Sequence, residues 1–320
     1  MTTRPIVGLD DAFGARAKAL RQLQRKLAEL FEAASYEEVI PPLMERPSSL
    51  NSGAGRFLAD QTIVFSDPAD AGLLAVRPDM TPQIARIAAS RLLDSDVLRL
   101  HYSGPVMLAR PDFRGGSRQP WQTGLECMGV AGADGDAEVI GLAAQSLLSA
   151  GFKNPVLQVG HIGLLRALVA HSHRSLDAWT ELLSRRSPDD LRAAIADEDL
   201  SDEVIEALTT MASGQADQAW VVASIGRFNS EFDAAAEELL ALVKQVESRL
   251  NGDVRVFSDA AIMPRFLYHS GILFAGFAAG VSQPLLHGGR YDAMMAAHGR
   301  DMPATGYSCD LLAWLDALEN

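Results

Sequence analysis

The spacing of apolar residues changes along this chain in an order that a regular strand–helix alternation does not produce. Across residues 10–34, Leu20, Leu23, Leu27, Leu30 and Phe31 recur at spacings of three and four, on one face of an amphipathic helix. Tyr36-Glu37-Glu38-Val39-Ile40-Pro41-Pro42 then reads as a short strand stopped by proline. Strand patterns at 62–65 and 73–76 flank a turn rich in Asp, Ala and Gly. Arg77-Pro78-Asp79-Met80-Thr81 follows, with a helix expected from Pro82 and Thr81 as its cap.

Residues 98–108 and 121–130 read as paired strands joined by a Gly/Arg-rich loop. A helix over 136–150 has Asp136 as its expected cap, a buried strand spans 155–160, and a helix starts at Ile162. From 172 to 228 the pattern turns to short polar helices, with start signals at Ser187-Pro188-Asp189-Asp190 and Ser201-Asp202-Glu203. A longer amphipathic helix covers 230–250, and strand-like patterns return at 254–257, at 266–277 and around Leu285 before a last helix. This order predicts an α+β fold: an antiparallel sheet flanked by helices. Residues 1–171 and 229–320 would form the core, and 172–228 a small helical insertion.

Several function classes fall away on composition. The net charge of −13 argues against wrapping nucleic acid. The cluster Arg110, Arg114 and Arg118 suits a small anionic ligand instead. No apolar run is long enough to span a membrane, and Met1-Thr2-Thr3-Arg4-Pro5 lacks a signal-peptide core, so a cytoplasmic location is expected. Cys127 and Cys309, far apart, read as buried small hydrophobes. His171 and His173 have no third ligand nearby, so no metal is expected. The chain has neither a Gly-x-Gly-x-x-Gly turn opening a helix nor a Walker-type Gly-Lys-Ser/Thr, and no cofactor is expected.

Three short stretches in order carry a resemblance: Arg77-Pro78-Asp79-Met80-Thr81, Gln122-Thr123-Gly124-Leu125-Glu126 and Gly288-Gly289-Arg290-Tyr291-Asp292, the last continuing through Pro303-Ala304-Thr305-Gly306-Tyr307. Together they resemble the catalytic core of histidyl-tRNA synthetase, a class II aminoacyl-tRNA synthetase, from about residue 8 to the end. The resemblance implies a class II core whose first helix and strand, with Pro42 in the place of the motif 1 proline, build a dimer interface. It also implies a histidine pocket. Asp79 and Thr81 would hold the α-ammonium, with Asp shorter than the family's Glu by about 1.5 Å of reach. Gln122 and Glu126 would complete the pocket from one strand face, Gly124 leaving room above the sheet, and Tyr291 would line it. His269 falls where the family has a Tyr that touches the imidazole.

The chain also departs from that family. Met107, Pro264 and Ala313 stand where arginines are expected, with Arg265 one residue late, and Gln119 replaces an acidic residue. Arg118 is the one expected phosphate contact. The sequence runs to Asn320, directly after the expected last helix, so the family's anticodon-binding domain is expected to be missing. An amino-acid pocket without activation chemistry resembles the ATP phosphoribosyltransferase regulatory subunits. That resemblance implies a non-catalytic partner of a short-form ATP phosphoribosyltransferase catalytic subunit. Such a partner binds free histidine, forms a homodimer core in a hetero-oligomer, and uses no tRNA and no membrane. The loop 110–118, with Gly115 and Gly116, would close over the pocket. The other reading is a truncated or divergent synthetase-like enzyme that forms an aminoacyl-adenylate.

Overall fold

A computed structural model describes residues 6–53, 55–111, 116–250, 252–264 and 268–319. The chain opens with α1 (Gly14–Ala33), whose Leu20, Leu23, Leu27 and Phe31 are buried as their spacing requires. The helix starts at Gly14 because Phe13 is extended, so it is shorter than the expected 10–34. The proline-stopped strand is only two residues long, β1 (Glu37–Glu38).

A small sheet follows, built from β2 (Met44–Glu45), β3 (Ile63–Ser66) and β4 (Leu73–Val76) in the order β2-β4-β3. Helices α2 (Pro47–Asn51) and α3 (Gly55–Gln61) lie between β2 and β3. Neither is signalled by sequence periodicity, since each is two turns or less. Then come α4 (Thr81–Ser90), β5 (Leu98–Pro105), β6 (Trp121–Met128), α5 (Gly132–Ala150), β7 (Val156–His161) and α6 (Ile162–Leu168).

The segment 172–228 holds four short helices, α7 (Leu176–Ser184), α8 (Pro188–Ala194), α9 (Asp202–Ala212) and α10 (Gln218–Ser224). Ser187 and Ser201 accept from the backbone N–H groups of Asp190 and Val204, as N-caps do. Trp179, Leu208, Met211 and Val221 from these helices join the same apolar cluster as the main core. The chain closes with α11 (Ser230–Leu250), β8 (Arg255–Ser258), β9 (Ile272–Phe277), β10 (Leu286–Arg290), α12 (Asp292–Ala297), β11 (Ala304–Asp310) and α13 (Leu311–Glu319).

Eight strands form one sheet in the order β1-β5-β6-β11-β10-β9-β7-β8. Its six inner strands are antiparallel to one another. The two outermost pairs, β1 with β5 and β7 with β8, are parallel, which the expected antiparallel sheet did not include. The strand expected over 266–277 begins only at Ile272, and Arg265 and Phe266 lie outside the described residues. No helix among the described residues is long and apolar enough to cross a membrane.

Strand alternation sorts the core into two layers. On one face Leu125, Cys127, Tyr307 and Cys309 pack with α1, α5 and α11. On the other face Leu100, Tyr102 and Ala304 meet Met80 and Ile84 of the α4 region and Met294 and Met295 of α12. The candidate site lies on this second, thinner layer.

Candidate functional site

Two expected caps turn out to do other work. Asp136 lies inside α5, which starts four residues earlier after the extended Ala131. Its buried carboxylate pairs with Arg290 at 3.0 Å and accepts from Arg290 Nε at 3.1 Å. Burial pushes Asp136 up despite that arginine, while the two neighbouring carboxylates push Arg290 up against its own burial. The Gly-Gly-Arg-Tyr turn is therefore anchored to α5 by a buried ion pair, and Arg290 is a structural cation.

Thr81 is the first residue of α4, behind Met80, and not its cap. The first turn is satisfied from outside: Thr81 N–H donates to Asp79 Oδ1 at 3.2 Å and Met80 N–H to Gln122 Oε1 at 2.9 Å. This frees the Thr81 hydroxyl to point across the sheet. Arg77 sets the entry to this turn, donating to the carbonyls of Pro41 at 2.8 Å and Pro105 at 3.0 Å. The proline end of β1, the end of β5 and the start of α4 are thus tied by one buried side chain.

Gln122 and Glu126 emerge from the same face of β6. Gln122 Nε2 donates to Asp79 Oδ1 at 2.6 Å, and Tyr268 O–H donates to Asp79 Oδ2 at 3.3 Å. Glu126 receives three hydroxyls: Thr81 at 3.0 Å and Tyr102 at 2.9 Å on Oε1, and Tyr291 at 2.6 Å on Oε2. Both carboxylates are 1% exposed. Neither has an ion-pair partner among the described residues, which leaves a buried site short of positive charge. Burial pushes the Glu126 carboxyl up to about 8, even though the three hydroxyls pull it down. Burial and the nearby carboxylates push the phenols of Tyr102, Tyr268 and Tyr291 up, so they act as donors.

Small residues make the space. A Cβ on Gly306 would overlap the Glu126 carboxylate, and one on Gly289 would come within 2.6 Å of His269. The room expected above Gly124 is taken by Tyr102, whose hydroxyl would lie 2.7 Å from a Cβ there. Of the expected pocket residues, Asp79, Thr81, Gln122, Glu126 and Tyr291 form one connected hydrogen-bonded cluster. His269 stacks near Tyr268, with ring centroids 4.7 Å apart, and lines the same cavity. Sequence reasoning missed Tyr102 and Tyr268. Tyr268 directly precedes His269 in the stretch where a pocket tyrosine was sought, whereas Tyr102 gives no signal apart from its register opposite Gly124.

The cavity lined by Thr81, Glu126, Tyr268, His269 and Tyr291, with the β10 and β11 backbone beneath, measures about 20 Å³. That is room for one water molecule, so a larger ligand enters only if some of the side chains lining it move. His287 and Ser308 line both this cavity and a neighbouring cleft of about 1660 Å³. Pro264 and Ala313, two of the positions where arginines were expected, line that cleft. Met107 does not; its N–H donates to the Arg77 carbonyl at 2.9 Å. Among the described residues, seven Asp and Glu side chains line the cleft against three arginines. Of the expected anion contacts, Arg110 lines the cleft, while Arg118 packs on Gly8 and donates from Nε to the Leu108 carbonyl at 3.2 Å. Arg114 and Gly115 lie outside the described residues.

Comparison with known proteins adds to this geometry. The family model described as histidyl-tRNA synthetase matches residues 8–313. An ATP phosphoribosyltransferase regulatory subunit from Chromohalobacter salexigens is 38% identical over 95% of this chain and 79% of its own length. The one from Thioalkalivibrio sulfidiphilus is 36% identical over 95% of this chain and 78% of its own. A solved ATP phosphoribosyltransferase regulatory subunit/histidyl-tRNA synthetase from Bacillus halodurans superposes with a TM-score of 0.88 at 25% identity, covering 100% of this chain and 84% of that one. Histidyl-tRNA synthetase from Nostoc sp. PCC 7120 shares the fold at a TM-score of 0.81 and 16% identity, over 99% of this chain and 75% of that one.

Proposed function

The chain belongs to the histidyl-tRNA synthetase-like family of ATP phosphoribosyltransferase regulatory subunits, and from that premise we propose that it is a non-catalytic subunit that binds free histidine and makes a short-form ATP phosphoribosyltransferase sensitive to it. One observation carries this reading. Asp79 and Glu126 are buried in one small site with hydroxyl and amide partners but no described cation. Such a pair is fully charged and satisfied only when a ligand supplies positive charge, since burial alone holds the Glu126 carboxyl up to about 8. Histidine carries an ammonium and an imidazole that can take a proton, separated by a short stem. Asp79 faces the first of these and Glu126 the second, with Thr81, Gln122, His269 and Tyr291 completing the pocket.

The water-sized cavity supports a two-state sensor. Histidine must displace some of the side chains lining the cavity, and a ligand that favours one arrangement shifts the equilibrium by its difference in affinity. Tyr268 on Asp79 and Tyr291 on Glu126 are the contacts that would exchange. Pro264 and Ala313 on the cleft wall favour regulation over adenylate chemistry, because arginines that would stabilise a transferring phosphate are replaced at those positions. We further propose a cytoplasmic homodimer core, with 172–228 as an insertion in the synthetase-like core, working without tRNA.

Reconstitution with the catalytic subunit tests the reading. Histidine should inhibit the wild-type complex, and Asp79→Ala should abolish that inhibition while the complex still assembles on gel filtration. A mutant complex as histidine-sensitive as wild type places the sensor elsewhere. Histidine-dependent pyrophosphate exchange at a synthetase-like rate would instead favour the adenylate-forming alternative.

A further inference from the structure

Ser270 joins the two stretches that carry the pocket tyrosines Tyr268 and Tyr291. It follows Tyr268 and His269 directly, just ahead of β9, and lies against the turn between β10 and α12. Its N–H donates to the Arg290 carbonyl at 2.7 Å, and its hydroxyl donates to the same carbonyl at 3.4 Å. That hydroxyl also accepts from the Asp292 N–H at 3.1 Å. One short side chain therefore holds the residues on both sides of Tyr291. A helix leaves its first N–H groups unpaired. Tyr291, at the N-cap of α12, makes no side-chain cap because its hydroxyl is spent on Glu126, so Ser270 caps Asp292 from outside. The Tyr268 and Tyr291 rings also meet edge to face, with centroids 6.0 Å apart. Behind them, the Ser270 carbonyl accepts from Arg166 Nη1 at 3.4 Å and the Gly271 carbonyl from the Ile162 N–H at 3.0 Å, which ties the segment to α6.

Tyr268 donates to Asp79 and Tyr291 to Glu126, one tyrosine on each carboxylate. A movement that takes Tyr291 off Glu126 carries Arg290 and Asp292 with it. Either Tyr268 follows, or the bonds to Ser270 break and the Asp292 N–H loses its partner. We infer that Ser270 is a positioning residue that couples the two tyrosine contacts, so that both are made and released in one step. The one-step release rests on the histidine reading given above; the positioning of Tyr291 in the ligand-free protein does not. A half-open pocket, with one carboxylate covered and the other freed, is then a disfavoured state, and the site responds to its ligand as a unit.

Fluorine NMR of the full chain labelled with meta-fluorotyrosine tests this. The chain has five tyrosines, so each resonance can be assigned with one Tyr→Phe variant. Without ligand, Ser270→Ala should shift the Tyr291 resonance and leave that of Tyr36 in place, since Tyr36 bonds Glu138 on the other face of the sheet. Ser270→Thr keeps the hydroxyl and should bring Tyr291 back. On titration with histidine, the wild-type Tyr268 and Tyr291 resonances should exchange at one rate, and those of Ser270→Ala at two rates that differ severalfold. Calorimetry should show histidine affinity falling severalfold in Ser270→Ala and recovering in Ser270→Thr, as expected for one hydrogen bond. Two rates in the wild type, or one shared rate in Ser270→Ala, would overturn the coupling. An unmoved Tyr291 resonance in ligand-free Ser270→Ala, or a threonine variant that behaves as the alanine one, would remove the positioning role. If histidine leaves all five resonances in place, the histidine reading falls and the one-step release with it, while the ligand-free comparison still decides whether Ser270 sets Tyr291.

Discussion

Tyr291 donates to Glu126 across an intervening strand. Tyr291 directly follows β10 and Glu126 sits on β6, with β11 between them, and their 2.6 Å bond passes over Gly306. Gly306 is in register with Glu126 on one side and Gly289 on the other. Only hydrogens at these positions let a carboxylate and a phenol meet above a sheet.

Gly306→Ala should therefore break the site while leaving the sheet. Its methyl group overlaps the Glu126 carboxylate, which must leave its three hydroxyls. Overpacking of this kind costs about 1–3 kcal/mol. Urea denaturation should register that loss, and calorimetry should find histidine binding abolished. Wild-type histidine affinity in this variant would mean that Glu126 does not hold the ligand.

Tyr291→Phe makes a gentler test. It removes one hydroxyl and leaves Glu126 Oε2 buried without its partner, at a cost of about 1–3 kcal/mol. The denaturation midpoint should fall with an unchanged slope, because no surface is newly exposed in the unfolded state.

The pH dependence follows from Glu126. Its folded carboxyl is pushed up from 4.5 to about 8, so between these values the folded state holds a proton that the unfolded state has lost. Its contribution is fully present below about pH 4.5 and is lost as pH rises towards 8. Glu126→Gln removes the titration. Comparing the two proteins by denaturation from pH 5 to 9, the wild type should weaken relative to the variant as pH rises, by a few kcal/mol in all. A constant difference across that range would show that Glu126 titrates normally.

The parts of this molecule legible in the sequence are those where periodicity and function coincide. The alternation on β6 sets Gln122 and Glu126 on one face because each faces a buried partner, and the capping serines of α8 and α9 follow from local chemistry alone. What was illegible is non-local. Asp136 has the residue type of a cap, but Arg290, 154 positions away, makes it a buried ion-pair partner. Thr81 reads as a cap until Asp79 and Gln122 take over the first turn of α4. The two-residue strands β1 and β2 are held by register to longer neighbours, which no local pattern announces.

Self-association has a physical candidate in the small sheet and the chain leading to it. Ile40 is 82% exposed, and Leu43, Met44, Val64 and Leu73 are all exposed as well. Exposed apolar side chains concentrated on one small sheet mark an interaction surface, and two-fold pairing is the commonest solution. Light scattering at micromolar concentration should give twice the chain mass. Combining Ile40→Asp with Leu73→Asp should give a monomer with unchanged secondary structure by circular dichroism. A wild-type monomer would remove this interface from the proposed assembly.

The buried pair Arg290–Asp136 separates anchoring from ligand binding. Arg290 also donates to the Gly132 carbonyl at 2.9 Å and Asp292 Oδ1 at 3.3 Å, so it fastens the turn carrying Tyr291 to the start of α5. Arg290→Met removes the cation and leaves Asp136 buried without its ion-pair partner, which typically costs about 3–5 kcal/mol. Adding Asp136→Leu takes away the stranded carboxylate and should recover much of that stability, giving a large coupling energy in a double-mutant cycle. Histidine binding should follow the position of Tyr291 and not the stability. If Arg290 only anchors the turn, the stabilised double variant regains part of the histidine affinity that the single variant loses. If both variants bind histidine equally poorly at a temperature where both are folded, Arg290 itself contributes to the pocket's electrostatics, and its role extends beyond holding the turn.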